Sequence, residues 1–453
     1  MRKLSVTVFI LTFFYSLSGF AVTQVKANMV HEKVLKNGLK VLVKEDRRAP
    51  VMVSQVWYKV GASYEHDGIT GLSHVLEHMM FQGTDNLEPG EFSKIIAENG
   101  GRENAFTGAD YTAYFQTMEA SRLEVSMRLE SERMQYLNLQ EKEFVKELQV
   151  VMEERRLRTE DKPEGQTYEY FKALAYTSSP YRNPIIGWMQ DLEDMKLVDL
   201  AAWYKRWYAP NNATLVVVGD VQAEQVFELA TQYFGSIPAV EFAPIKQRVE
   251  VPQLGIRRAV VKQVAQAPYL LMGYKVPVLN STDNEQDVYA LEVLSGILSS
   301  GGSSRLASNL IRGSQIAASV SAGYDMNARL STLFLFDGVP AEGKTAGELE
   351  NAINEQIDLL KTSRVSKKEL ARIKAQVIAS AVYEKDSNFY QAMQLGMLET
   401  VGVGWEKESE YVDKVNAITA EEIQAVAKKY LIEDHLTVVH MLPVEDEGAD
   451  NAQ

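Results

Sequence analysis

The chain has 453 residues, 46% of them apolar, which is material for two cores of roughly 200 residues each rather than one. Its 47 basic and 61 acidic residues leave a net charge of −14 with no long Lys/Arg run, which argues against nucleic acid and suits a basic or extended peptide partner. Cysteine is absent, so disulfides, thiolate metal sites, a cysteine nucleophile and a lipid-modified cysteine are excluded, and any metal must sit on His and carboxylates.

The first element is an export segment. Met1-Arg2-Lys3 precedes an apolar run over residues 4–15, and small residues end at Ala21 and again at Ala27. That is the layout of a secretory signal peptide cleaved after Ala21 or Ala27, which predicts an exported, periplasmic protein. An uncleaved signal anchor is the alternative, because residues 4–22 are nearly long enough to span a bilayer; no other membrane association is expected.

Residues 33–45 place Asn37-Gly38 between short apolar runs and predict a β-hairpin, and residues 51–60 predict a further strand. Helical spacing follows over 71–81 and again over 91–98, where Asn99-Gly100-Gly101 stops it. Alternation over 110–118 predicts a strand, and residues 141–160 an acidic helix. Pro238, Pro244 and Pro252 mark a linker that divides the chain nearly in half. The halves end alike: an offset of 222 residues lays Tyr208 on Tyr430 and Val216-Val217 on Val438-Val439, each after a helix. The expected organisation is a signal peptide over 1–27, an N-terminal domain over 28–240, a linker over 241–262, a homologous domain over 263–445 and a polar tail over 446–453. The fold class is α+β, two homologous domains, each an antiparallel sheet packed with helices.

The chemistry sits in His74-Val75-Leu76-Glu77-His78. Imidazoles at i and i+4 share one helix face and can hold one zinc, and Glu77 beside them is placed as a base that does not occupy the metal. This inverse of the commoner H-E-x-x-H order is a zinc signature in its own right. A third ligand must come from another element, and the acidic helix offers Glu147, Glu153 and Glu154. Glu147 and Glu154 lie two turns apart on one face, while Glu153 points away; spacing alone leaves the ligand open.

At these residues the sequence resembles the pitrilysin/insulinase family of zinc peptidases, and among them the half-length members similar to the mitochondrial processing peptidase beta subunit and its bacterial relatives. The 75 residues between His78 and Glu154 match the family's spacing, which implies Glu154 as the ligand and Glu147 as the acid behind it. Asn104-Ala105-Phe106-Thr107 resembles the family's substrate-binding edge strand, which implies that Asn104, Ala105 and Phe106 align an extended peptide by strand addition. Further blocks at Pro180-Tyr181, Ile186-Gly187-Trp188, 212–220 and 301–306 extend the resemblance over both halves. It implies one Zn(2+) per chain, a chain forming half of a clamshell chamber, and peptide-bond hydrolysis with Glu77 as general base. Partnered members also present an Arg and, shortly after it, a Tyr from a second homologous half. Here Arg312 stands at the first position, but Ala318 or Ser319 occupies the second and Tyr324 lies too far along. A homologous partner chain, in a heterodimer or homodimer, is therefore expected to supply the tyrosine. Two other readings stand beside the endopeptidase: a zinc-binding, weakly active subunit of a heteromeric peptidase, and a periplasmic peptide-binding or scaffold protein without catalysis.

Overall fold

The computed structural model describes residues 29–445 except 244, 245 and 247. The expected signal peptide, the polar tail and Pro244 of the linker lie outside the described residues. In the first half, β1 (Val30–Val34), β2 (Lys40–Glu45), β3 (Val51–Tyr58), β4 (Arg102–Thr107), β5 (Thr112–Glu119) and β6 (Ala213–Gly219) form one sheet in the order β1-β2-β6-β3-β5-β4. β6 is buried throughout, as its unbroken apolar run requires of a central strand covered on both faces. In the second half, β7 (Arg257–Val264), β8 (Tyr269–Val276), β9 (Ala317–Gly323), β10 (Thr332–Pro340) and β11 (Leu436–Val444) follow the order β7-β11-β8-β10-β9.

Apart from β1, the two orders correspond strand for strand, β6 with β11 and β4 with β9, which is the duplication expected from the matching ends. The sheets are mixed rather than purely antiparallel. The last strand of each half returns after a run of helices and slots in beside an early one, so β2 and β6 pair in parallel, as do β7 and β11. A crossover of that length allows parallel entry, which a hairpin cannot. Residues 257–262, expected as the end of the linker, instead form most of β7, because their alternation is that of an edge strand with one face covered.

Each sheet has its own core on one face and a helix from the other half on the opposite face. The helix Asn388–Val401 of the second half lays Ala392 and Leu395 against Leu42, Val53, Trp57, Val216 and Val218 of the first sheet. Gly396 makes this approach possible, since a Cβ there would sit 2.1 Å from the Trp57 indole nitrogen. The helix Pro163–Ala175 of the first half returns the arrangement, packing Phe171 and Ala175 against Leu271 and Val439. The halves are further tied by Arg329, which donates to Asp110 and to Ser63 Oγ at 3.1 and 2.7 Å. Among the described residues no helix is long and apolar enough to cross a membrane.

Candidate metal centre

The helix Leu72–Met79 buries Leu72, Val75, Leu76 and Met79 in the first core, which turns His74, Glu77 and His78 toward the opposite side. Its start is constrained by backbone crowding. Gly71 has φ +88°, and a Cβ on it would lie 2.6 Å from the Ile186 carbonyl oxygen. The first N–H groups of a helix lack internal partners. Here the buried Glu65 carboxylate accepts from the N–H groups of Gly71 and Ser73 at 2.8 and 2.6 Å. Burial pushes the Glu65 carboxyl up to about 7 despite those bonds.

The partner acids lie on the helix Glu141–Arg155, which runs on into a π-helical turn over Arg156–Glu160. Glu154 Oε2 is 3.9 Å from His74 Nε2 and 3.6 Å from His78 Nε2. One donor atom from each of the three residues falls within 4.8 Å of the others. Donors bound about 2.0–2.2 Å from one tetrahedral zinc stand roughly 3.3–3.5 Å apart, so this set fits the ion with small shifts. The protonation state fits as well. Burial pushes His74 down to about 3, which keeps its imidazole neutral with a lone pair free for a metal. Glu147 takes the other side of His78: its Oε2 is 3.2 Å from His78 Nδ1, and its Oε1 accepts from Gln82 Nε2 at 2.9 Å. A carboxylate in that place orients the ring and selects the tautomer that leaves Nε2 unprotonated. Glu153 is directed outward and pairs with Arg156 at 3.1 Å.

Glu77 lies beside this set without entering it. Burial raises its carboxyl above the usual range, while the Thr107 hydroxyl, donating to Oε2 at 2.5 Å, pulls the other way. Thr107 ends β4, the outermost strand of the sheet, whose pairs with β5 run from Arg102↔Thr117 to Thr107↔Thr112. Ala105 and Thr107 share the face that packs toward the site helix, and Asn104 is exposed with its Oδ1 accepting from the Ala105 N–H. The ring of Phe106 turns to the opposite face, against Trp57 and Tyr111 at centroid distances of 5.4 and 6.0 Å.

Arg312 is not brought to this constellation. It is exposed on the turn Ala307–Gly313 of the second half and bonds Ser308 Oγ at 2.8 Å. Ala318 and Ser319 lie exposed on β9, while Tyr324 is committed elsewhere, its hydroxyl on the Pro277 carbonyl and its ring stacked on Phe334. Sequence reading missed the roles of Thr107, Glu65 and Gln82, which depend on long-range contacts. It also passed over Arg158, whose guanidinium meets Glu154 Oε1 at 2.5 Å and which its i, i+4 spacing from Glu154 could have revealed.

A family model described as insulinase (peptidase family M16) matches residues 40–188, and one described as the peptidase M16 inactive domain matches residues 194–377. The zinc protease PqqE of Helicobacter pylori is 37% identical over 363 residues, covering 79% of this chain and 81% of that one. A crystal structure of a protease from Helicobacter pylori superposes with a TM-score of 0.87 at 33% identity, over 92% of this chain and all of the other. The periplasmic protease PqqL of Escherichia coli shares the fold, with a TM-score of 0.75 at 18% identity, and is matched over 93% of this chain but only 48% of its own.

Proposed function

The chain belongs to the insulinase (M16) peptidase family, and on that premise we propose that it is an exported zinc-dependent endopeptidase acting on extended peptides or unfolded segments. The observation that carries the reading is the convergence of His74, His78 and Glu154 on one point, with Glu77 beside them and tied to the open edge strand through Thr107. His74, His78 and Glu154 would hold the zinc, with Glu147 orienting His78. Bound there, zinc supplies Lewis-acid polarisation of the scissile carbonyl and of the attacking water. Glu77 accepts the proton of that water and returns it to the leaving amine. The free edge of β4 pairs with the peptide backbone, so the bond to be cut is aligned by the same strand that positions the base. Main-chain pairing requires an extended segment, which favours unfolded or short peptides over folded proteins.

Export is supported by the signal-like N-terminal residues and by the periplasmic description of the PqqL relative. A homologous partner chain, a second copy or a different chain, would supply the Arg and Tyr that this site lacks. The match to only 48% of PqqL supports that reading, since a second half of similar size is available there within one polypeptide. The position of Arg312 away from the metal ligands also favours a second reading, a zinc-binding subunit with little activity of its own. The test is elemental analysis of the purified chain together with cleavage of an internally quenched extended peptide, with and without a homologous chain. One equivalent of zinc and chelator-sensitive cleavage are expected. A chain that binds no zinc and cleaves nothing in either setting is not a peptidase.

A further inference from the structure

A second site is built into the molecule away from the metal centre. Four helices of the second half, Glu285–Ser299, Lys367–Glu384, Asn388–Val401 and Lys407–Ala417, surround a cavity of about 510 Å³ that the end of β2 closes. Small-molecule pockets span about 300–1,000 Å³, so the cavity is of ligand size. None of His74, Glu77, His78 and Glu154 lines it.

Two titratable groups face this space with hydrogen-bonding capacity left over. Lys44 is only 5% exposed, and among the described residues its ammonium has neither a hydrogen bond nor an ion pair. The alternation of β2 places it on the same face as Leu42, toward the helix that carries Ala392 and Leu395. The other lysines lining the cavity are already paired, Lys385 with Glu408 at 2.6 Å and Lys407 with Glu285 at 3.0 Å. Lys44 is thus a buried ammonium with no direct ion pair: Glu408, which also lines the cavity and attracts it, is already paired with Lys385, and burial without a partner of its own costs free energy unless a ligand relieves it. Glu292 is the second group. One of its oxygens accepts from the Tyr411 hydroxyl at 3.3 Å, and the other has no partner among the described residues. Burial pushes its carboxyl up to about 7, so a cation brought beside it would ionise it.

No ion pair joins Lys44 to Glu292, so the cavity keeps a cation and an acid apart. We propose that this cavity binds a small zwitterion of amino-acid or short-peptide size, its carboxylate on Lys44 and its ammonium on Glu292. The Tyr289 and Tyr411 rings, which also line the cavity, offer the ammonium aromatic faces. A simple anion would leave Glu292 unused and a simple cation would leave Lys44 unpaired, which is why the ligand carries both charges. This inference does not depend on the proposed peptidase activity.

Isothermal titration calorimetry of the purified chain with the dipeptide alanyl-alanine tests it, with N-acetyl-alanyl-alanine, alanyl-alanine amide and inorganic phosphate as comparison probes. Saturable binding of the free dipeptide is expected, weakened about tenfold or more by blocking either end and by either Lys44→Met or Glu292→Gln. Glu292→Gln preserves side-chain volume and so keeps the test valid should Lys44→Met fold poorly. Absence of saturable binding, or the parent's affinity retained in both variants, overturns the site. Equal affinity for phosphate or for the acetylated dipeptide overturns the zwitterion.

Discussion

Thr107 Oγ1 donates a 2.5 Å hydrogen bond to Glu77 Oε2 across the seam between the edge strand β4 and the helix that carries the two histidines. One hydroxyl therefore links the free edge strand with the acid beside the His74, His78 and Glu154 cluster. Hydrogen bonds to charged groups are worth about 1.5–3 kcal/mol, enough to hold a buried carboxylate in one rotamer. Replacing Thr107 by Val, which keeps the shape and removes the donor, should lower kcat about tenfold or more with KM little changed. Thr107→Ser should restore it, and zinc content should be unchanged in both. A Val variant with the parent's kcat would remove Thr107 from the machinery.

Glu77→Gln should leave the zinc in place, since His74, His78 and Glu154 remain, while turnover falls at least roughly 10²-fold with loss of the general base. Stopped peptide cleavage together with one retained equivalent of zinc is the expected pair of results. Loss of the metal from this variant would mean that Glu77 is a ligand.

The two adjacent glutamates should behave differently. Glu154 Oε2 faces both imidazoles, whereas Glu153 is engaged with Arg156 at the surface. Glu154→Gln should release zinc on dialysis and Glu153→Gln should not. Glu147→Gln, which removes the acid behind His78, should weaken zinc binding by about 10–100-fold without abolishing it. Equal zinc retention in the Glu153 and Glu154 variants would exclude Glu154 from the site.

The exposed position of Arg312, with no tyrosine at Ala318 or Ser319, predicts slow cleavage by the isolated chain. A transition-state hydrogen-bond donor contributes about 10²-fold or more in rate. A homologous chain carrying both Arg and Tyr should raise turnover, with activity peaking near equal amounts of the two, and Tyr→Phe in that partner should take most of the gain away. Turnover by the isolated chain that no partner raises would mean that the second-half donor is dispensable here.

Glu250, in the segment joining the halves, should couple their docking to pH. It accepts from the N–H groups of Thr177, Ser178 and Ser179 at 2.9, 2.9 and 2.7 Å and pairs with the Lys275 ammonium. Burial opposes ionisation, yet Lys275 and the three N–H groups hold the carboxyl at about 2, below its ordinary 4.5. Because the folded value is depressed, the contribution is complete above about 4.5 and is lost as the pH falls from there through about 2. The gap in unfolding temperature between the parent and Glu250→Gln should be full at pH 7 and shrink steadily below pH 4.5. A gap constant down to pH 2.5 would remove the ionised Glu250 from the clasp.

What the sequence determined by itself is what one element or one repeat encodes. Two histidines and a glutamate on one helix face follow from a period of 3.6 residues, so His74, Glu77 and His78 were legible from their spacing. The strand alternation and the matching ends, Tyr208 with Tyr430, carried the duplicated architecture for the same local reason. The choice among Glu147, Glu153 and Glu154 was beyond spacing, since it depends on how two helices far apart in sequence are rotated against each other; resemblance to a family, not periodicity, singled out Glu154. Tertiary structure alone decided that Phe106 turns its ring away from the metal face, that Thr107 reaches Glu77, that Glu65 caps the site helix through a loop, and that each half covers its sheet with the other's helix. It also decided that Lys44 and Glu292, distant in sequence, face one cavity. Each of these is a contact between surfaces that periodicity describes one at a time, and a pattern along the chain records which face an element buries but not what it is buried against.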